Sequence, residues 1–161
     1  MKKKINKNNK KVYVGLSADI LHEGHINILK KASKLGEVTV GLLTDAAIAS
    51  YKKLPHLDYK QREIILKNIK FVKKVLPQNT LDYTRNLLRL KPDYVVHGDD
   101  WRQGVQKKIR QKVIKTIKKW SGKLIETKYT KNISSSKIKE KIYKVGTTPQ
   151  NRVSRLKRLI D

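Results

Sequence analysis

Val12-Tyr13-Val14-Gly15-Leu16-Ser17-Ala18-Asp19-Ile20-Leu21-His22-Glu23-Gly24-His25 decides how the rest of the chain reads. An apolar run to Leu16 gives way to small and polar residues. Two histidines then follow, three apart, with a glycine between them. This predicts a strand, a tight turn and a helix that starts near His25. Gly24 lets a ligand come close to the backbone. The helix start offers free N–H groups and the positive end of a dipole, which together suit phosphate. Imidazole N–H groups beside a phosphoryl group can hold the charge that grows during its transfer. One surface histidine and one capping histidine are the plainer assignment. The strand before and the helix after favour phosphate, because ligands of open α/β sheets gather at the carboxyl ends of strands.

Downstream, strands and helices alternate. Ile26, Leu29, Ala32 and Leu35 line one helical face, and Gly36 is expected to stop that helix. Val38 to Leu43 reads as a second buried strand, ended by Thr44-Asp45. A short helix over Ala46 to Ser50 leads into the irregular basic loop Tyr51 to His56, and Asp58 caps the next helix. A third strand is expected over Val72 to Leu76, closed by Pro77, then a helix over Leu81 to Leu90. Tyr94 to His97 is a fourth strand, followed directly by Gly98-Asp99-Asp100-Trp101. A basic helix from Val105 to Trp120, ended by Gly122, a fifth strand over Lys123 to Glu126 and a helix over Ser134 to Tyr143 complete the alternation. The expected fold is α/β: a Rossmann-like, doubly wound, parallel five-stranded sheet with helices on both faces. Residues 1–10 read as a disordered basic terminus, 11–145 as the domain, and 146–161 as a linker and a basic C-terminal helix.

Composition narrows the classes. The 161 residues suffice for one domain with a real core. There is no cysteine, hence no disulfide framework and no thiol nucleophile. No apolar run approaches the roughly 18 residues that span a bilayer, and the basic start lacks a signal-peptide core. A cytoplasmic location and no membrane are the expectation. The net charge of +26 is spread along every segment, and only eight of the 39 basic residues are arginine. With no arginine-rich arm and no interleaved aromatic platform, nucleic acid is not the expected partner. Attraction of a highly anionic small substrate is sufficient use for the charge.

The chemistry-bearing residues fall at strand ends and so converge on one edge of the sheet. Ser17, Asp19, His22 and His25 follow strand one; Asp45 and Lys52-Lys53 follow strand two. Asp99, Asp100 and Trp101 follow strand four, and Thr130 to Ser136 follow strand five. Each has a plainer role open to it: Asp45 as a cap, Lys53 as one solvated lysine among many, Trp101 as core, the serines as caps.

Ser17 to His25 resembles the first motif of the HxGH nucleotidyltransferase superfamily. Thr130-Lys131-Asn132-Ile133-Ser134-Ser135-Ser136 resembles the ISTS-type motif of its cytidylyltransferase branch. The likeness runs from about Val12 to about Ile142. The resemblance implies that His22 and His25 contact the phosphates of CTP and stabilise the transition state, with Lys53, or Lys52 by a shift of the loop, as the phosphate-binding lysine. It places Ser17, Ala18, Asp19, Arg62, Asp99, Ser134 and Ser135 around CTP, and Asp45, Asp100 and Trp101 around the second substrate. Some positions depart from the family pattern. Leu16, Ser17 and Ala18 stand where the motif has a glycine, a hydroxyl residue and an aromatic. Lys70-Phe71-Val72-Lys73-Lys74 lacks the family's acidic residue, and Tyr129 replaces an arginine. Asn132 replaces a glycine, and asparagine is the residue that best tolerates a left-handed turn in its place.

The implied reaction is transfer of CMP from CTP to a small phosphate or phosphonate, with release of pyrophosphate. Mg²⁺ is expected with the triphosphate, and no protein metal site. Val95 to Asp100 is similar to the branches acting on phosphoethanolamine and 2-aminoethylphosphonate, which are the favoured acceptors, ahead of glycerol phosphate. An adenylyltransferase with the same chemistry and a non-catalytic basic binding module are the other classes. A homodimer is expected. The tail matches what a domain fused to a phosphoenolpyruvate mutase would carry.

Overall fold

The structure, a computed structural model, describes residues 10 to 146 apart from 105, without the side chains of 145 and 146. The expected basic tail before Lys10 and the linker and helix after Gly146 lie outside the described residues. Lys10 itself is ion-paired to Asp93.

The strands are β1 (Lys11–Leu16), β2 (Glu37–Leu43), β3 (Lys74–Gln78), β4 (Tyr94–Gly98) and β5 (Lys123–Thr127). The helices are α1 (Glu23–Ser33), α2 (Asp45–Ala49), α3 (Tyr59–Lys67), α4 (Thr84–Leu90), α5 (Gln106–Ile117) and α6 (Ser135–Gly146). Every strand pair is parallel, and the order across the sheet is β3-β2-β1-β4-β5. The order reverses between β1 and β4, which opens a crevice at their carboxyl ends.

Alternation along β1 divides the core. Val12, Val14 and Leu16 pack with Val38, Val40 and Leu42 of β2 against Leu29 and Ala32 of α1 and Leu66 of α3. Tyr13 points to the other face, where Val95, Tyr83, Leu87, Val113, Ile117 and Trp101 surround it. Helices therefore cover both faces, as the continuous apolar runs of the strands require. Truncating a fully buried side chain such as Leu29 to alanine would cost about 2–5 kcal/mol.

Several boundaries differ from expectation. β3 begins at Lys74, because a turn from Val72 N to Ile69 O holds the preceding residues and pairing with β2 starts only after it. Pro77 lies inside β3, where its missing donor is tolerated on an edge strand. α4 starts at Thr84, since the Asp82 carboxylate ties back to the Thr84 N–H and hydroxyl. After α5 and a short 3₁₀ turn, Ser121 takes the left-handed position (φ 62°) expected of Gly122. α1 closes on Lys34 in the right-handed region. Gly146 is the last residue of α6 rather than a linker residue. Among the described residues, no helix is long and apolar enough to cross a membrane.

Candidate active site

A cleft of about 310 Å³ opens at the carboxyl ends of β1 and β4, bounded by the starts of α1 and α6. Its floor follows from the turn after β1. His22 is the N-cap of α1, and its Nδ1 accepts the Gly24 N–H at 3.1 Å. His25 reaches back, its Nδ1 accepting the His22 N–H at 3.3 Å. The pair is a capping box built from imidazoles, with ring centroids 4.0 Å apart. A backbone N–H can only donate, so both Nδ1 atoms are bare and each neutral ring carries its proton on Nε2. Burial, helped by His22 and Lys52, pushes the His25 pKa down to about 4, and burial also lowers that of His22. Gly24 is needed for space. A Cβ there would lie 2.9 Å from Cε1 of the folded-back His22 ring.

The loop after β2 closes one side, and here the structure corrects the sequence reading. Arg62 is 1% exposed and does not reach the cleft. Its guanidinium donates to the carbonyls of Leu57 (3.0 Å), Leu43 (2.9 Å) and Ser17 and to Asp45 Oδ1 (2.6 Å), binding the ends of β1 and β2 to α3. A buried charge with a filled donor fork is a structural tie. Asp45 belongs to the same tie, its other oxygen accepting the Tyr59 N–H, and lies outside the cleft lining. Asp19, also 1% exposed, accepts the His56 N–H at 2.7 Å and pairs with Lys139 of α6. Burial works against its charge, but Lys139 and His56 more than offset this and hold the carboxyl below its usual value. Ala18 is buried in the left-handed region (φ 48°), shaping the turn without lining the cleft. Ser17 does line it, and its Oγ accepts from Lys52 Nζ at 3.2 Å. Lys52 lies over the Tyr51 ring, and burial lowers its pKa. Lys53 is exposed and outside the lining. The cleft lysine is thus one residue earlier than the favoured one.

Ser134 and Ser135 both line the cleft at the start of α6. The Ser134 hydroxyl accepts the Lys137 N–H, and Ser135 Oγ donates to the Ile20 carbonyl at 3.1 Å. Asn132 supplies the left-handed turn (φ 66°) that leads into them.

Another side of the cleft is built from β4 and the loop after β5, whose Thr130 meets Asn27 of α1. Asp99 accepts the Tyr129 N–H at 2.9 Å and so holds that loop rather than lining the cleft. Asp100 does line it; a Cβ at Gly98 would sit 2.6 Å from its Oδ1, so the glycine makes room for the carboxylate. Trp101, expected against the second substrate, is 1% exposed and belongs to the core, its Nε1 donating to Glu126. His97 lies flat against it, with centroids 3.8 Å apart and planes within 5°, and His97 is the ring that meets the cleft. Sequence reading passed over His97, Tyr83 and Tyr129 as lining residues. His97 and Tyr129 stand directly before the strand-end segments Gly98 to Trp101 and Thr130 to Ser136, and that position is the available signal. Among the described residues, no group of three or more His, Cys, Asp or Glu gathers to hold a metal ion.

The family model described as "Cytidylyltransferase-like" matches residues 13–141. The glycerol-3-phosphate cytidylyltransferase of Bacillus subtilis strain 168 is 30% identical over 135 residues, covering 83% of this chain and 97% of that protein. The ethanolamine-phosphate cytidylyltransferase of Dictyostelium discoideum is 33% identical over 83% of this chain, which spans 36% of that longer protein. The FAD synthase of Thermoplasma volcanium is 30% identical, covering 77% of this chain and 87% of the relative. The crystal structure of the lipopolysaccharide core biosynthesis protein of Thermoplasma volcanium matches with a TM-score of 0.64 at 27% identity, covering 75% of this chain and 98% of that one.

Proposed function

The chain belongs to the cytidylyltransferase-like family and is a CTP-dependent nucleotidyltransferase; from that premise we propose that it transfers CMP to a small amino-alkyl phosphate or phosphonate, phosphoethanolamine or 2-aminoethylphosphonate. The observation behind the acceptor is the polarity of the cleft. Its α1 and α6 side offers donors: the Nε2–H groups of His22 and His25, Lys52 and the Ser134 hydroxyl, whose own proton is left over after it accepts the Lys137 N–H. Its β4 side offers the carboxylate of Asp100. Phosphates suit the donors and an ammonium suits the carboxylate.

In the reaction, an acceptor phosphate or phosphonate oxygen attacks the α-phosphorus of CTP. A new P–O bond forms, the bond from the α-phosphorus to the bridging oxygen breaks, and pyrophosphate leaves with that electron pair. A phosphate with a second pKa near 6 is already largely ionised at pH 7, so no base has to remove a proton from it. The protein's part is positioning and charge stabilisation. Two neutral imidazoles fixed as Nε2–H donors by the α1 cap require no reorganisation as charge develops on the phosphoryl oxygens. Lys52 and the α1 N-terminus add positive potential. Mg²⁺ belongs to the proposal: it would neutralise triphosphate and leaving-group charge. With Asp100 the carboxylate lining the cleft, the ion would be held by triphosphate oxygens and water. A homodimer is proposed too, supported by the exposed Ile64 and Ile65 of α3; a monomer mass in equilibrium sedimentation would remove it.

Pyrophosphate release is the test, with CTP and ATP each offered phosphoethanolamine, 2-aminoethylphosphonate and glycerol 3-phosphate. Turnover with CTP and an amine-bearing acceptor is expected. Preference for glycerol 3-phosphate, the substrate in the name of the Bacillus subtilis relative, would replace the acceptor. Preference for ATP would move the chain to adenylyl transfer, and no release with either nucleotide would leave a binding module.

A further inference from the structure

Asp19 is a buried carboxylate with two lysines near it, and it pairs with only one of them. Its side chain is 2% exposed. Oδ1 accepts the His56 N–H at 2.7 Å, and Oδ2 is paired with Lys139 of α6. A buried carboxylate that loses its partner is strongly unfavourable. Arg62, nearby, is committed to three carbonyls and to Asp45. The His56 ring lies 3.9 Å from Oδ1, and its Nε2 is engaged with the Tyr143 hydroxyl. Lys52 is the other lysine that feels the charge. Burial lowers its pKa, Asp19 raises it, and Lys139 and Arg62 lower it again.

Lys52 nevertheless turns to the cleft. Its Nζ donates to Ser17 Oγ at 3.2 Å. A neutral hydroxyl holds an ammonium less firmly than a carboxylate or a phosphate does, so Lys52 is left free to exchange Ser17 for an anion. Lys139 itself lies outside the cleft lining. It stands four residues after Ser135, one turn further along the same face of α6. The helix whose start presents Ser134 and Ser135 to the cleft therefore also delivers the cation that satisfies Asp19. We propose that Lys139 is a positioning residue for the nucleotide: by neutralising Asp19 it keeps the Lys52 ammonium clear of an internal carboxylate and open to the triphosphate. Without Lys139, Lys52 is the lysine left to swing to Asp19 and away from a phosphate. This rests on CTP as the nucleotide and goes beyond that reading without depending on the acceptor.

The experiment is calorimetry of CTP with Mg²⁺ on full-length chains, in a cycle of wild type, Lys139→Met, Lys52→Ala and the double variant. Methionine keeps the reach and helical preference of lysine and removes its charge. Lys139→Met should weaken CTP binding about tenfold, close to the loss from Lys52→Ala and on the scale of one charge-assisted hydrogen bond. In the Lys52→Ala chain the same substitution should cost about twofold at most, because the residue it acts through is gone. Equal losses in the two backgrounds overturn the proposal, since Lys139 would then act by itself, by fastening α6 or by its charge at a distance. An unchanged affinity in Lys139→Met overturns it too. If Lys139→Met does not fold, as judged by its melting curve, Asp19→Asn/Lys139→Met removes the buried charge together with its partner and carries the test. In that chain nothing draws Lys52 from the cleft, so adding Lys52→Ala should again cost about tenfold; a loss of about twofold or less overturns the proposal. A wild type that does not bind CTP defeats the nucleotide reading itself. A wild type that binds CTP whatever stands at position 139 defeats only this proposal.

Discussion

The helix cap and the strand end that border the cleft use one side chain in opposite ways. At the α1 end, His22 and His25 face backbone N–H groups and are left as donors. At the β4 end, His97 faces a backbone carbonyl and is left as an acceptor. All three rings have lowered pKa values with burial as the leading cause, so charge does not separate them. The backbone group within reach of Nδ1 does. An imidazole in a protein takes its polarity from the main chain that orients it, and the helix cap and the strand end supply main-chain groups of opposite kind.

The strongest way to break this contrast is to remove a donor. His22→Ala should lower kcat by about 10²-fold or more, the scale for losing one oxyanion-type donor, with a smaller change in KM for CTP. Steady-state kinetics showing normal kcat and weakened CTP binding would reassign His22 to the ground state. Next in size is the lysine. Lys52→Ala should weaken CTP binding about tenfold in calorimetry, following the value of a charge-assisted hydrogen bond, and Lys53→Ala about twofold at most. Equal losses would mean that the 51–56 loop rearranges around the nucleotide. Smaller again is the effect of replacing Ser134 and Ser135 together by alanine. CTP should lose about 3- to 10-fold in affinity and CMP, lacking the outer phosphates, less; equal losses for both would remove the serines from the triphosphate.

Much of this geometry was legible in sequence, for a physical reason. Parallel strands buried on both faces read as apolar runs, which marks β1 and β2; the shorter β3, β4 and β5 are legible from their alternation with helices, and the strand ends share one edge. His22, His25, Ser134, Ser135 and Asp100 all reached the cleft. What failed depended on partners far away in sequence. Arg62 reads as a ligand-binding cation until the carbonyls of Ser17 and Leu43 are seen to enclose it. Trp101 reads as an available aromatic until Glu126, on another strand, takes its N–H. Lys52 and Lys53 differ by one residue in an irregular loop, where no periodicity tells inward from outward.

Acidity probes the contrast more gently. An unfolded histidine titrates near 6.5, whereas folded His25 does so at about 4. Between those values the unfolded chain binds a proton that the folded chain refuses. Stability from this source is complete above about pH 6.5 and is lost progressively as the pH falls toward 4. Tm should be lower at pH 4.5 than at pH 7 by about 5 °C, a few kcal/mol in a chain of this size. Asp19, Asp82 and Glu126, all held below their usual values, stay ionised through that window. His25→Gln keeps a residue suited to the third position of a capping box and does not titrate, so its melting temperature should vary less with pH. An equally steep profile in the variant would place the acid sensitivity elsewhere. The smallest perturbation is none at all. Ring ¹⁵N shifts at neutral pH should report protonated Nε2 in His22 and His25 and protonated Nδ1 in His97; one tautomer in all three would erase the contrast.

The fastening of α6 has a consequence in time. None of its described side chains joins the hydrophobic clusters. It is held by Lys139 on Asp19, by Tyr143 on His56 and by Ser135 on the Ile20 carbonyl. Contacts of this kind open locally at little cost. The α6 amides should therefore trade their hydrogens for deuterium long before those of β1, whose release awaits global unfolding. A triphosphate bridging the serines and the start of α1 would be one more fastening. The exchange lifetime of α6 then becomes a clock for nucleotide occupancy: short in the free protein, lengthened while CTP is held, and short again once pyrophosphate has gone.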